Sequence, residues 1–236
     1  MKLIQRHGYI EFLRRNRERS IIKVVSGIRR CGKSTLFRLF KDELLAEGVK
    51  PEQIISINFE ELEYEPLREY HALYQYILNQ MQPNQMNYIF LDEIQHVDQF
   101  HRVVDSLFVK ENTDIYITGS NAYFMSSDIA TLLTGRYVEI QMLPLSFAEF
   151  YFSKYEEQQY SLIPAYEAYL RESSFPYTQQ LGGEDFDIQE YLRGLFNTLL
   201  LHDVVARLKI NDVMILQDIV RYIMANVGSL LSPNKI

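Results

Sequence analysis

The sequence predicts an α/β fold: a mostly parallel sheet with helices on both faces. Three observations carry this. Short β-branched or apolar runs alternate with helical patterns of about ten residues or more, and such crossovers impose parallel pairing. Those runs read as buried strands, as sheets covered on both faces require. The residues with the strongest chemical character stand just after the runs, where parallel sheets of this kind bind ligands.

The elements follow in order. Ile21-Ile22-Lys23-Val24-Val25 reads as the first strand, and Lys33 to about Glu47 as a helix ended by Gly48. Ile54 to Phe59 is the second strand, and Leu67 to Met81 is helical, with Leu67, Tyr70, Tyr74, Ile77 and Leu78 as its apolar and aromatic positions. Tyr88-Ile89-Phe90-Leu91 is the third strand and ends at Asp92. Asp98 is expected to cap a helix from Gln99 to about Glu111. Ile115-Tyr116-Ile117 and Tyr137-Val138-Glu139-Ile140 are the fourth and fifth strands. After Pro144 the pattern turns helical. Ser146-Phe147-Ala148-Glu149 is a capping-box signature. Further helices are expected from Ile188 to His202 and from Val213 to Asn226. The domains expected are 1–145, a helical region over 146–212, and a last segment over 213–236.

Composition narrows the function. With 236 residues, 47% of them hydrophobic, the chain can bury one sizeable core and a smaller attached unit. A formal net charge of −7 gives no sign of a phosphate-backbone partner for the chain as a whole. Cys31 is the one cysteine, so no intrachain disulfide forms, which fits a reducing compartment. Met1 to Tyr9 has no apolar leader core, and no run approaches the roughly 20 apolar residues of a membrane span. A soluble cytoplasmic protein with no membrane partner is expected.

Gly27-Ile28-Arg29-Arg30-Cys31-Gly32-Lys33-Ser34, with Thr35 next, fits the phosphate-binding loop pattern G-x-x-x-x-G-K-[ST]. The glycines let the loop curl so that its N–H groups face one phosphate, and the helix opened by Lys33 adds its positive dipole end. The Lys33 ammonium then reaches the outer phosphates, and the Ser34 hydroxyl ligates Mg²⁺. Asp92 and Glu93, at a strand end behind such a loop, have a specific use. Asp92 holds Mg²⁺, directly or through water. Glu93 orients and polarises the attacking water. In Thr118-Gly119-Ser120-Asn121, a side chain at the strand end can sense the γ-phosphate; Asn121 is preferred slightly over Ser120, and an N-cap is the plainer use. Arg136 can stabilise transition-state charge in cis or in trans, or be a surface arginine. Arg29 and Arg30 touch phosphate or a partner, or are solvated. Cys31 reads chiefly as a small filler beside the phosphates. The spacing of His96 and His101 suits no zinc site. The guanine-reading N-K-x-D pattern is absent, which argues against a GTPase.

These motifs, together with Leu91-Asp92-Glu93-Ile94-Gln95, Leu133-Thr134-Gly135-Arg136 and Leu143-Pro144-Leu145-Ser146-Phe147-Ala148-Glu149-Phe150, resemble the prokaryotic AAA-like ATPases over roughly residues 1 to 230. The resemblance implies an additional-strand P-loop NTPase domain with strand order 5-1-4-3-2, a helical region and the start of a winged-helix-like segment over 213–236. It also implies ATP, Mg²⁺ and a catalytic Glu93. Family members often carry Gly-Gly-[Phe/Tyr]-Pro where this chain has Ser173-Ser174-Phe175-Pro176. Mg²⁺-dependent ATP hydrolysis coupled to a conformational change is the expected function. The alternative is a slow or non-catalytic nucleotide switch that binds a protein or DNA partner through the C-terminal region. A small-molecule phosphotransferase fits less well, because no Arg-rich lid segment is present. A homo-oligomer stays open.

Overall fold

The computed structural model describes residues 4–120, 133, 135–155, 160–181, 185–199, 204–205, 212–230 and 232. Five strands form one sheet: β1 (Ile22–Gly27), β2 (Ile54–Asn58), β3 (Asn87–Asp92), β4 (Thr113–Ser120) and β5 (Tyr137–Met142). All four pairings are parallel and the order is β2-β3-β4-β1-β5. This is the order the family resemblance implies. Register sets Gly27 beside Ser120 and Met142, and Asn58 beside Asp92, so the loop, the acidic pair and Ser120 share the carboxyl end of the sheet.

Alternate residues of each strand serve opposite faces. On one face Val24, Ile57, Ile89, Leu91, Ile115 and Ile117 pack with Leu73 and Ile77 of α3 (Tyr70–Gln80) and Val103, Val104 and Leu107 of α4 (Phe100–Phe108). On the other, Val25, Tyr88, Phe90 and Tyr116 meet Phe37, Phe40 and Leu44 of α2 (Lys33–Ala46) and Ile10 and Leu13 of α1 (His7–Asn16). Phe90 stacks on Tyr116 at 4.6 Å between centroids, and Phe37 meets Phe90 edge-on at 5.2 Å. Both faces are therefore dry, which explains why β1 and β3 are buried at every position.

Several boundaries differ from the sequence expectations. Helix α1 was not foreseen: its N-cap, Arg6, makes no side-chain cap bond, so the usual start signal is missing. The helix expected from Leu67 begins at Tyr70, because the Glu69 carboxylate accepts the His71 and Ala72 N–H groups and so caps it there. Asp98 does not cap α4. Gln99 occupies that position with a left-handed backbone, φ 49°, and no side-chain cap bond.

The chain divides into two compact units, Met1–Glu184 and Asp185–Ile236. The first also includes α5 (Phe147–Tyr155) and α6 (Leu162–Glu172). Leu145, Phe150 and Ala168 form a small core there with Ile4, Tyr155 and Tyr169, which ties these helices to the N-terminal segment. The expected capping box forms: Ser146 N donates to Glu149 Oε2 at 2.8 Å and Glu149 N to Ser146 Oγ at 3.3 Å. The second unit holds α7 (Asp185–Thr198) and α8 (Val213–Ala225). The Asp212 carboxylate accepts the Met214 and Ile215 N–H groups and caps α8.

Candidate nucleotide site

Between β1 and α2 the loop is built by close packing. A Cβ on Gly27 would lie 2.5 Å from the Met142 carbonyl oxygen and 2.8 Å from Cys31 Sγ, so only glycine lets β5 approach. Gly32, at φ 106°, turns the chain into α2. Arg30 also has a left-handed backbone, φ 67°. Cys31 is fully buried, and burial, opposed by the nearby Lys33 charge, pushes its thiol up. A protonated buried thiol is a poor nucleophile, as the filler role requires.

The acidic pair meets this loop. The Ser34 hydroxyl lies near enough to the Asp92 carboxylate to favour its charged form. Lys33 Nζ lies 3.0 Å from Glu93 Oε1 and donates to the carbonyl oxygens of Gly27 at 3.0 Å and Ile28 at 3.4 Å. Lys33, Asp92 and Glu93 are all buried. Burial pushes Asp92 up, opposed by the Ser34 and Thr118 hydroxyls. Glu93 sits at φ 55°, ψ 49°, a left-handed backbone unusual for a glutamate.

Sequence reading missed three residues that organise these groups. Thr118 donates its hydroxyl to Asp92 Oδ1 and accepts the Glu93 N–H at 2.9 Å, so it sets the spacing of the two carboxylates. Gln95 Nε2 donates to Glu93 Oε2 at 2.5 Å. Arg6 joins four chain segments. It pairs with Glu149 through Nε at 2.8 Å and Nη2 at 3.0 Å, and donates to the carbonyl oxygens of Cys31 at 3.3 Å, Leu143 at 2.6 Å and Pro144 at 3.3 Å. Burial alone would raise Glu149; the Arg6 guanidinium and the Ser146 N–H outweigh it and hold the carboxyl below its usual range. Thr118 and Gln95 stood inside the motifs already quoted. Arg6 gave no local signal.

Asn121 lies outside the described residues. Arg136 precedes β5, about 20 Å along the strand direction from Met142 and the phosphate loop. It sits beside Asp105 at 3.9 Å and over the Phe108 ring, so it does not reach the phosphate site of its own chain. Ser120 is buried, at the strand end next to Gly27, and its Oγ has no partner among the described residues. Arg29 lies 3.3 Å from Glu60.

On the other side of the loop a cavity of about 1310 Å³ opens against Cys31, Gly32 and Thr35. Leu36, Leu39 and Met142 give it an apolar wall, with Gln5, His7 and Gln179 among its polar groups. An apolar slot with a few polar groups, beside a phosphate cradle, is what a nucleoside needs.

The donor set suits the groups this architecture implies. The Ser34 hydroxyl in the first turn of α2 and the Asp92 carboxylate at the end of β3 are hard oxygen ligands appropriate to Mg²⁺. The buried Ser120 Oγ, unpartnered among the described residues at the strand end beside Gly27, is an orphaned polar group that a phosphate would satisfy.

Comparisons with known proteins bear on the family and the fold. A family model described as an AAA domain matches residues 19–151, more than half of the chain. An uncharacterized protein of Haemophilus influenzae is 38% identical over 99% of this chain, and one of Methanocaldococcus jannaschii is 33% identical over 87%. The chain spans 58% and 47% of those relatives' lengths. Among solved structures, the Walker-type ATPase of Pyrococcus abyssi superposes with a TM-score of 0.54 at 18% identity, over 84% of this chain and 73% of that one. That likeness shows the fold. The chain belongs to the AAA-domain family of P-loop, nucleotide-binding ATPases.

Proposed function

We propose that this chain binds ATP with Mg²⁺ and hydrolyses it, and that the turnover drives a conformational change. The observation that carries the reading is the meeting of loop and acidic pair: Lys33 stands 3.0 Å from Glu93, and the Ser34 hydroxyl is placed to favour the charged form of Asp92. The backbone of residues 27–34 cradles the phosphates, Lys33 moves from Glu93 to the outer phosphates, and Ser34 and Asp92 hold the metal. When bound, Mg²⁺ neutralises charge on the phosphate oxygens. Glu93 takes a proton from water as the water oxygen bonds the γ-phosphorus. The bond to the bridging oxygen breaks, and ADP and phosphate leave. Ser120 senses the γ-phosphate, and the cavity against Leu36, Leu39 and Met142 takes the nucleoside.

Arg136, exposed and far from its own site, serves a neighbouring copy in a homo-oligomer. No helix among the described residues is long and apolar enough to cross a membrane, which supports a cytoplasmic setting. The partner, protein or DNA, is engaged through the C-terminal region. A second reading, a nucleotide-operated switch with little turnover, is favoured by one feature: both oxygens of Glu93 are already engaged, by Lys33 and Gln95.

Release of phosphate from ATP by the parent, by Glu93→Gln and by Lys33→Ala, with and without DNA, separates these readings. Hydrolysis is expected in the parent alone, with ATP still bound by Glu93→Gln and lost from Lys33→Ala. Equal turnover in Glu93→Gln removes Glu93 from the mechanism. Saturable ATP binding without phosphate release, DNA included, favours the switch.

A further inference from the structure

In this structure the side chain proposed as general base is held at both ends. Glu93 Oε1 faces the Lys33 ammonium at 3.0 Å, and Oε2 accepts from Gln95 Nε2 at 2.5 Å. Gln95 lies two residues on, in the 3₁₀ turn Ile94–His96, which follows directly from the left-handed backbone of Glu93. Its other polar atom, Oε1, is buried and has no partner among the described residues. A buried amide with one end committed and the other unsatisfied calls for a reason, because leaving an acceptor dry costs about 1–3 kcal/mol.

We propose that Gln95 is the positioning residue for Glu93. Without nucleotide, its amide holds the carboxylate against Lys33 and so keeps the site locked. Once Lys33 has moved to phosphate, the same amide keeps the carboxylate aimed, and the free Gln95 Oε1 accepts the second hydrogen of the attacking water. The inference rests on the hydrolysis reading for its second half. The lock itself needs only nucleotide binding. Entry of phosphate must break the Lys33–Glu93 pair, and the cost of breaking it depends on how firmly Gln95 fixes the carboxylate. Loosening Gln95 therefore eases binding and harms turnover. A residue that merely supported the fold would lose both together.

The test uses Gln95→Ala and the isosteric Gln95→Glu, each checked for unchanged thermal unfolding. Affinity for a non-hydrolysable ATP analogue and for ADP is read by titration, in the parent and in a Glu93→Ala background. Turnover is read at saturating ATP. Gln95→Ala is expected to bind nucleotide at least about threefold more tightly and to turn over at least about tenfold more slowly. The gain in affinity disappears in the Glu93→Ala background, because no carboxylate remains to release. Gln95→Glu, which keeps the shape but replaces the donor by a second carboxylate, loses turnover as well. Unchanged affinity and turnover overturn the proposal, and so does a joint loss of both. If the parent shows no turnover, the hydrolysis reading falls by itself, and the binding arm decides. A gain in the parent background alone supports the lock, and no gain overturns it.

Discussion

Truncating Arg6 gives the sharpest test of how the nucleotide cavity is held together. Its side chain is 5% exposed, its partner Glu149 21%. Arg6→Ala removes a bidentate ion pair and three bonds to carbonyl oxygens. Breaking a buried pair by removing one partner costs about 3–5 kcal/mol. Glu149 keeps its bonds from Ser146 N and Oγ and some contact with water, which favours the lower end, about 3 kcal/mol. The Cys31 carbonyl loses a buried donor, for about 1 kcal/mol more. The sum, about 4 kcal/mol, lowers the melting temperature by roughly 8–16 °C for a chain of this size. Thermal and urea unfolding measure it. A loss below about 1 kcal/mol would show that the pair is neutral against solvent and refute the reasoning. Arg6→Ala/Glu149→Ala should recover part of the loss, since no unpaired carboxylate is left behind.

Glu149 also gives a pH signature. Its folded pKa lies below the unfolded one, so its stabilisation is present above the ordinary carboxylate range and lost as pH falls through the depressed value. The parent should lose stability over that acid window more steeply than Arg6→Ala; parallel curves would contradict this. Ser173, at φ 74° and ψ 162°, holds a backbone that only glycine adopts without strain. Relief of about 1–3 kcal/mol of strain, less about 0.5–1 kcal/mol for the freer unfolded chain, predicts that Ser173→Gly stabilises by about 1 kcal/mol. A melting temperature that does not rise by about 2–4 °C would count against it. Gly27→Ala should cut turnover about a hundredfold, because its Cβ would meet the Met142 carbonyl at 2.5 Å and displace the loop. Turnover equal to the parent's, with folding intact, would mean that the loop tolerates the shift.

What the sequence made legible was local. Ile22–Gly27 and Asn87–Asp92 are buried at every position, so their composition alone marks them as inner strands, and the phosphate loop and Asp92-Glu93 follow at fixed offsets. The capping box at Ser146 was readable for the same reason: both partners lie three residues apart. Helix α1 was not, since only Ile10, Leu13 and Asn16 of it are buried and no cap residue announces it. Arg6 could not be found from spacing, because its partners lie 25 to 143 residues away. Asp98 failed as a cap because a chain turning through a left-handed Gln99 needs no side-chain acceptor there.

The two ends of the sheet show why the carboxyl end is the site. At the amino end Lys23 pairs with Asp114, fully buried, and donates to the Arg19 carbonyl at 2.9 Å. Asp114 also accepts from Tyr116 Oη at 2.6 Å and Glu18 N at 2.8 Å. Burial lowers Lys23 and raises Tyr116, so titration is perturbed there as well as at Asp92. Shifted pKa values alone would nominate both ends. The difference is saturation. At the amino end Lys23 and Asp114 are satisfied by each other and by Arg19, Tyr116 and Glu18. At the carboxyl end Ser120 Oγ and Gln95 Oε1 lack partners among the described residues, and Glu93 is held in a left-handed backbone. Folding alone gives no return for such unmet bonds and strain, whereas a triphosphate and an attacking water supply the groups that satisfy them.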